Sequence, residues 1–308
     1  MLTNIADSEN AKAMMPVYHI GTLDETSRAI LAKDTEVGFE SATEPRPIFL
    51  QSRMWSKATL SAKEKVSPDS KIFTFTLDHT SQTIGLPVGQ HLMMRIRDPA
   101  SGEAIIRAYT PVSEGNETGR LCVLVKIYYD TPQNKGGRMT QALDSLPLGQ
   151  LVDFKGPVGK FEYLGGGRCT INRRERCIRR FVMVCAGSGI TPIFQVLRAV
   201  MKDKEDPTSC LVLDGNRVEE DILLKQELDA MALDNPSRCR LLYALSRPLS
   251  SWQGLRGRMD RALFEKEVGG PPKANDAIVL VCGPTPMEDA VKCIFRGMGW
   301  EEEDLLFF

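Results

Sequence analysis

Apolar and polar residues alternate strictly through much of the first half of the chain. In Lys71-Ile-Phe-Thr-Phe-Thr-Leu-Asp78, residues Phe73, Phe75 and Leu77 fall on one side of an extended strand. His91-Leu-Met-Met-Arg-Ile-Arg97 alternates too, and the run from Leu121 to Tyr129 places Leu121, Val123, Val125 and Ile127 together. Gly and Pro clusters separate these runs, so the pattern predicts an antiparallel barrel over residues 47–165. Further on the grammar changes. Phe181-Val-Met-Val-Cys185, Cys210-Leu-Val-Leu213, Arg240-Leu-Leu-Tyr-Ala-Leu245 and Ala277-Ile-Val-Leu-Val-Cys282 are short, nearly continuous apolar runs, as expected of strands buried on both faces. Helical stretches at Pro192–Met201, Asp221–Ala232 and Pro286–Met298 lie between or after them, which predicts a parallel α/β domain over residues 181–308. Residues 1–31 read as a short, partly helical opening, with Ser8 capping a turn that Pro16 ends, and residues 32–46 read as a linker. Gly165-Gly-Gly167 and the arginine-rich stretch that follows form an interdomain hairpin at 166–180, read as solvated charge or, alternatively, as a binding patch.

Composition narrows the classes. A chain of 308 residues accommodates two ordinary domains, and 42% hydrophobic with 26% charged residues is the balance of a water-soluble protein. Lys+Arg is 39 against Asp+Glu 40, so no global charge draws the chain to nucleic acid or to an anionic membrane. No apolar run approaches the roughly 20 residues a membrane helix needs. The eight cysteines are scattered without a Cys-x-x-Cys, and the three histidines lie far apart, so no metal site is predicted. Scattered cysteines point to a reducing compartment, and the expected location is the cytoplasm.

Four short stretches carry chemistry. Arg107-Ala-Tyr-Thr-Pro-Val-Ser113 places Arg107 and Tyr109 on one strand face, with Thr110 beside them. A guanidinium matches a pyrophosphate, a phenol ring packs on a flat heterocycle and a hydroxyl bonds a ring heteroatom, a set that suits a flavin dinucleotide. Gly136-Gly-Arg-Met-Thr-Gln141 follows the strand run Val125-Lys-Ile-Tyr-Tyr129 and could close on the other side of that pyrophosphate, or simply cap a helix. Ala186-Gly-Ser-Gly-Ile-Thr-Pro192 sits between a strand and a helix. It offers backbone amides to the pyrophosphate of a nicotinamide dinucleotide; the other reading is an ordinary strand–helix turn. Cys282-Gly-Pro-Thr-Pro-Met287 ends the last long apolar run, where a thiol could line the reactive nicotinamide carbon or serve as a small core hydrophobe. A fifth stretch, Asn216-Arg-Val-Glu-Glu-Asp221, follows the second parallel strand, where a dinucleotide's adenosine ribose usually lies, with Arg217 and Arg247 able to offset the charge of Asp221; the other reading is that all three are solvated surface charges.

Taken in order, Arg-x-Tyr-Thr, Val-Lys-x-Tyr, Gly-Gly-x-Met-Thr, Gly-x-Gly-x-Thr-Pro and Cys-Gly-Pro-x-x-Met resemble the cytochrome b5 reductase group of flavoproteins, with a ferredoxin reductase-like fold, over about residues 47–308. Pro45-Arg-Pro-Ile-Phe-Leu50, Gly89-Gln-His-Leu-Met-Met94, Gly156-Pro-Val-Gly-Lys-Phe-Glu-Tyr-Leu164 and Asp304-Leu-Leu-Phe-Phe308 are similar to the carboxyl-terminal part of fungal assimilatory nitrate reductases. Ser8 to Gly21 resembles the last helix and exit of the cytochrome b5 domain that precedes this part in those enzymes. Ala6-Asp7 stand where a haem-ligating histidine is expected, and His19 belongs to the exit motif. The resemblance therefore implies a truncated enzyme, without the molybdenum domain and most of the haem domain.

What the resemblance implies for function is specific. FAD would be held by Arg107, Ala108, Tyr109, Thr110, Val125, Lys126, Tyr128, Gly137, Arg138, Met139, Thr140 and Thr191. NADH or NADPH would dock on Gly187, Ser188, Gly189, Thr191, Pro192, Asp221, Gly283, Pro284 and Met287, with Cys282 as the catalytic thiol beside the nicotinamide. A hydride would pass to the flavin, and electrons onward to a haem domain or a separate cytochrome. Haem and molybdenum cofactor would belong only to the full-length enzyme, as would the contacts of the family's homodimer. Two other readings are a free-standing NADH-cytochrome b5 reductase and a non-catalytic module that keeps only the fold.

Overall fold

Two six-stranded sheets organise the molecule, and the hydrophobic pattern accounts for both. The computed structural model describes residues 48–98, 101–272, 274 and 276–308. The helix expected from Ser8, the linker at 32–46 and the haem-domain-like tail at 1–31 lie outside the described residues. The first sheet is built from β1 (Ser56–Ser67), β2 (Ser70–Thr76), β3 (His91–Arg97), β4 (Ala104–Tyr109), β5 (Arg120–Lys126) and β6 (Leu151–Val158). Its order is β4-β3-β6-β1-β2-β5, and every pairing is antiparallel. The two edge strands approach each other where the chain leaves β4: the Val112 amide donates to Cys122 O at 2.9 Å, which closes the sheet toward a barrel. Inside, Phe73, Phe75, Leu121 and Val123 are fully buried, as their alternation requires. In the centre Phe154 meets Phe75 edge to face and Phe49 at a tilt, and each buried ring contributes roughly 1.5–3 kcal/mol. Helix α1 (Arg138–Ser145) packs on β3 and β4 through buried Met139, Ala142 and Leu143.

The second sheet is entirely parallel. It runs β13-β12-β11-β10-β14-β15, from β10 (Arg180–Ala186), β11 (Ser209–Asn216), β12 (Cys239–Leu245), β13 (Leu255–Arg256), β14 (Ala277–Cys282) and β15 (Leu305–Phe307). Both faces of its central strands are covered, which is why those strands are continuous apolar runs. Helices α2 (Ile190–Lys202) and α3 (Lys225–Asp234) cover one face with Met183, Cys185 and Val212; α4 (Arg261–Glu267) and α5 (Thr285–Gly297) cover the other with Val184, Leu213 and Val281. From β10 the chain builds outward through β11 and β12, then returns to lay β14 on the opposite side of β10. That reversal makes the carboxyl ends of β10 and β14 the switch point, the place where open α/β sheets bind ligands.

Three boundaries differ from the sequence expectation. The end of the range read as barrel, 47–165, is β7 (Phe161–Gly165), which pairs instead with β8 (Arg168–Ile171), itself paired with β9 (Arg174–Cys177), in a small separate sheet. Phe161 and Tyr163 pack edge to face on Phe181 of the second sheet, so burial of these rings overrides continuity with β6. Strand β5 stops at Lys126, leaving Tyr128 in the following loop. Asp221 lies in a short turn rather than at the head of a helix, because Leu224 takes a left-handed φ of +56° and α3 begins only at Lys225.

Candidate functional site

Strand β4 brings the aromatic and cationic residues of the first stretch to the sheet edge. Arg107 is exposed, and its Nη1 donates to the neighbouring Ile106 O at 2.7 Å. It has no carboxylate partner among the described residues, so most of its five donors remain available to a ligand. Tyr109 is half-buried, and burial pushes its phenol up to about 12, with Arg107 and Tyr128 both near enough to act on it. The ring therefore stays neutral and presents a flat apolar face beside a fixed cation. Thr110 is buried next to it.

Beside this edge, α1 starts at Gly137 with no side-chain cap, so the amides of its first turn are left to another acceptor. The Gly137 amide donates to Tyr128 O at 2.8 Å, and Thr140 Oγ1 donates to Gly137 O at 3.1 Å. A Cβ on Gly137 would lie 2.7 Å from Thr140 Oγ1, so the loop is drawn as tight as glycine allows. An uncapped helix start, an arginine without a carboxylate and a neutral aromatic face together fit a flavin dinucleotide. Ala108 lies exposed between Arg107 and Tyr109, while Val125 and Met139 are buried and act through packing.

Two residues of the expected flavin set have other partners. Lys126 Nζ contacts Asp69 at 2.8 Å and reaches Asp221 at 3.7 Å, so it joins the two sheets rather than standing free. The Arg138 guanidinium is held by Asp98 at 2.6 Å and Glu103 at 3.0 Å, which leaves its backbone amide as the group offered to a phosphate.

At the switch point, the second set of glycines converges. Gly187–Gly189 forms a single tight turn after β10, with Gly187 at φ +55° and open space where a side chain would be. A Cβ on Gly189 would fall well inside contact distance of Cys282 O, so only glycine lets this turn sit against the end of β14. Helix α2 follows with no side-chain cap, its dipole aimed at the turn. Thr191 is buried and donates to Ser188 O at 3.2 Å, and Pro192 continues the first turn. Across from it, the Gly283 amide donates to Glu288 Oε1 at 3.0 Å, Pro284 opens α5, and Met287 covers Gly283. Burial, with Glu288 nearby, pushes the Cys282 thiol up to about 12. Cys282 is thus a neutral thiol, suited to pack against a ring and unsuited to act as a nucleophile. The Gly187–Gly189 turn touches β5, which brings the two sites to one junction.

Asp221 follows β11 as expected, and its carboxylate sits between Lys126 and Arg217, 3.5 Å from Arg217 Nε. Arg247 joins the same corner, its amide donating to Arg217 O at 2.8 Å. Sequence reasoning missed Asp69 and Glu288. Asp69 reads only as part of a Ser-Pro-Asp-Ser turn, and nothing in its neighbours signals that it meets Lys126 across the sheet. Glu288 could have been found as an acidic residue in the first turn of α5. Among the described residues no cluster of His, Cys, Asp or Glu could hold a metal ion, and no helix is long and apolar enough to cross a membrane.

Fold and site together define a two-domain flavin and nicotinamide oxidoreductase. Residues 57–163 match the family model for an oxidoreductase FAD-binding domain, and residues 183–293 the model for an oxidoreductase NAD-binding domain. The crystal structure of the cytochrome b5 reductase domain of Ulva prolifera nitrate reductase superposes with a TM-score of 0.79 at 33% identity, covering 85% of this chain and all of that one. The chain belongs to the family of cytochrome b5 reductase domains of nitrate reductases. It is 59% identical over 303 residues to a nitrate reductase [NADPH] of Beauveria bassiana, and 58% identical over 308 residues to one of Neurospora crassa. Each match covers 98% of this chain, which spans 34% and 31% of those proteins' lengths. A nitrate reductase [NADH] of Zea mays is 36% identical over 295 residues. The chain is thus the FAD- and NAD(P)H-binding, diaphorase part of a nitrate reductase, a reading these relatives favour over a free-standing cytochrome b5 reductase.

Proposed function

We propose that this chain oxidises NADPH, and NADH less readily, on behalf of a haem acceptor, as the reductase segment of a cytoplasmic enzyme that reduces nitrate for assimilation. The observation that carries this is the contact of barrel strand β5 with the glycine turn of the switch point, with the uncapped start of α1 bonded to the loop that follows β5. Arg107 and the first amides of α1 hold the FAD pyrophosphate, and Tyr109 and Thr110 bind the ring and its ribityl chain. The turn at Gly187–Thr191 takes the coenzyme pyrophosphate. Cys282 and Gly283 bound the nicotinamide from the sheet, where a neutral thiol excludes water without adding charge. FAD, when bound, supplies the chemistry: it accepts two electrons and a proton as hydride and gives the electrons up singly. NADPH leaves as NADP⁺. The chain's contribution is proximity and orientation, which together lower such barriers by several kcal/mol.

The test is direct. The purified protein should be yellow, with stoichiometric FAD, and should reduce ferricyanide with NADPH. Arg107→Ala should lose most of its FAD on dialysis, since leaving a pyrophosphate without its charged partner costs roughly 2–5 kcal/mol. A colourless protein that takes up no added FAD, or a variant that keeps its flavin, would refute the assignment.

A further inference from the structure

Helix α2 carries the coenzyme turn at its start and, along one face, a row of polar contacts to the barrel. Gln195, Arg198 and Lys202 lie three and seven residues apart, which puts them on one side of the helix. The Gly89 amide donates to Gln195 Oε1 at 2.7 Å in a buried contact. Arg198 Nη1 donates to Val112 O at 2.7 Å and Nη2 to Ser113 O at 2.8 Å, while its guanidinium lies 5.0 Å from the centre of the Phe194 ring. Lys202 Nζ reaches Glu114 at 2.5 Å. Val112 and Ser113 directly continue the β4 stretch that carries Arg107, Tyr109 and Thr110. One guanidinium therefore connects the strand of the flavin residues to the helix of the coenzyme turn.

Apolar packing covers part of this interface, with Val88 and Val112 against the cluster that includes Ile193, Phe194 and Leu197 of α2, but it leaves a gap beside Arg198. A cleft of about 210 Å³ opens between the barrel and α2, floored by Ile84, Leu86 and Ala199 and flanked by Arg198 itself. Where side chains leave such a gap, dispersion contacts do not hold two surfaces at one separation. A planar guanidinium bonded to two successive carbonyls does, because both distances and the angle between them are set at once.

We infer that Arg198 is a positioning residue for hydride transfer, holding the coenzyme turn in register with the flavin strand through the carbonyls of Val112 and Ser113. This rests on the function proposed above. Two variants test it. Arg198→Met keeps the stem on Phe194 and removes both donors; Arg198→Lys keeps the charge and can reach one carbonyl at a time. In the Met variant, amide hydrogen exchange at residues 110–116 should quicken in the FAD-loaded and in the FAD-free protein, with exchange in β1 and β2 unchanged. FAD content and affinity for ADP-ribose should stay within about twofold of wild type. The kcat for NADPH oxidation should fall roughly ten- to a hundredfold. The primary isotope effect with 4-deuterated NADPH should rise as the transfer step becomes limiting, and the Lys variant should recover part of both. A purely structural arginine would lower stability without raising the isotope effect. Wild-type exchange at 110–116, or a wild-type isotope effect in a folded variant of either kind, would overturn the inference. Failure of the wild-type protein to bind FAD or oxidise NADPH would instead strike the proposed function and leave the exchange result to stand alone.

Discussion

Asp214 lies at the carboxyl end of β11 with 1% of its surface exposed, a position where a charged carboxylate has little to stabilise it. Its partners are Asn216 Nδ2 at 2.9 Å and the Cys185 thiol at 3.6 Å, and Tyr243 faces it from the next strand. Burial pushes it up to about 7, against 3.8 for the free group. The folded protein thus holds a proton that the unfolded chain has released between those two values. Stability contributed at this site is therefore present at pH 4 and falls as pH rises to about 7. At about 1.4 kcal/mol per unit, the loss is of order 4 kcal/mol. Asp214→Asn keeps the shape and removes the ionisation. Urea unfolding should show the variant gaining on wild type by a few kcal/mol at pH 8, with little difference at pH 4.5. An equal gap at both pH values would mean that Asp214 does not titrate in the folded state.

Among the elements, the turn from β10 into α2, proposed above to take the coenzyme pyrophosphate, is held tightly against the end of β14. Its closeness to β14 depends on the missing side chain of Gly189, whose Cβ would intrude on Cys282 O and lie 2.9 Å from Gly283 N. Both are backbone atoms, so neither can rotate away. Gly189→Ala should force the turn off the strand end, costing roughly 1–3 kcal/mol by overpacking. Calorimetry should register that cost. Equilibrium dialysis should show weaker ADP-ribose binding with FAD content unchanged, because the barrel edge is untouched. Tight ADP-ribose binding in the variant would place the pyrophosphate away from this turn.

Across the whole molecule, one chain of charges links the two sheets: Asp69 to Lys126, Lys126 to Asp221, and Asp221 to Arg217. Taken alone, an acidic group beside an adenosine ribose would repel a 2′-phosphate and favour NADH. Here Lys126 and Arg217 lie 3.7 and 3.5 Å from Asp221, which would make an acid at the proposed ribose site compatible with NADPH. Asp221→Ser would release Arg217 toward the phosphate and remove the nearby negative charge, while Lys126 stays with Asp69. The ratio of kcat/KM should then move toward NADPH by at least about tenfold, or ~1.4 kcal/mol. Steady-state kinetics with both coenzymes decides this, and an unchanged ratio would put the 2′ site elsewhere.

Periodicity and glycine placement were legible in the residues alone, because both are local. Alternation at Phe73, Phe75, Leu121 and Val123 specifies a half-buried antiparallel sheet, and unbroken runs such as Ala277–Cys282 specify strands covered on both faces. Gly187 and Gly189 between strand and helix mark a tight turn for the same reason, since backbone freedom is a property of one residue at a time. Partnership across the molecule is different in kind. That Lys126 meets Asp69 and Asp221, that Arg138 is claimed by Asp98 and Glu103, and that β7 leaves the barrel all depend on residues far apart in the chain, brought within a few ångströms by packing. Water and salt weaken charge–charge attraction with distance, so these pairs form only where folding has brought the groups within a few ångströms. A linear pattern therefore records which side chains have the chemistry to bind a coenzyme, while the three-dimensional arrangement decides which of them, such as Lys126 and Arg138, are engaged by other partners.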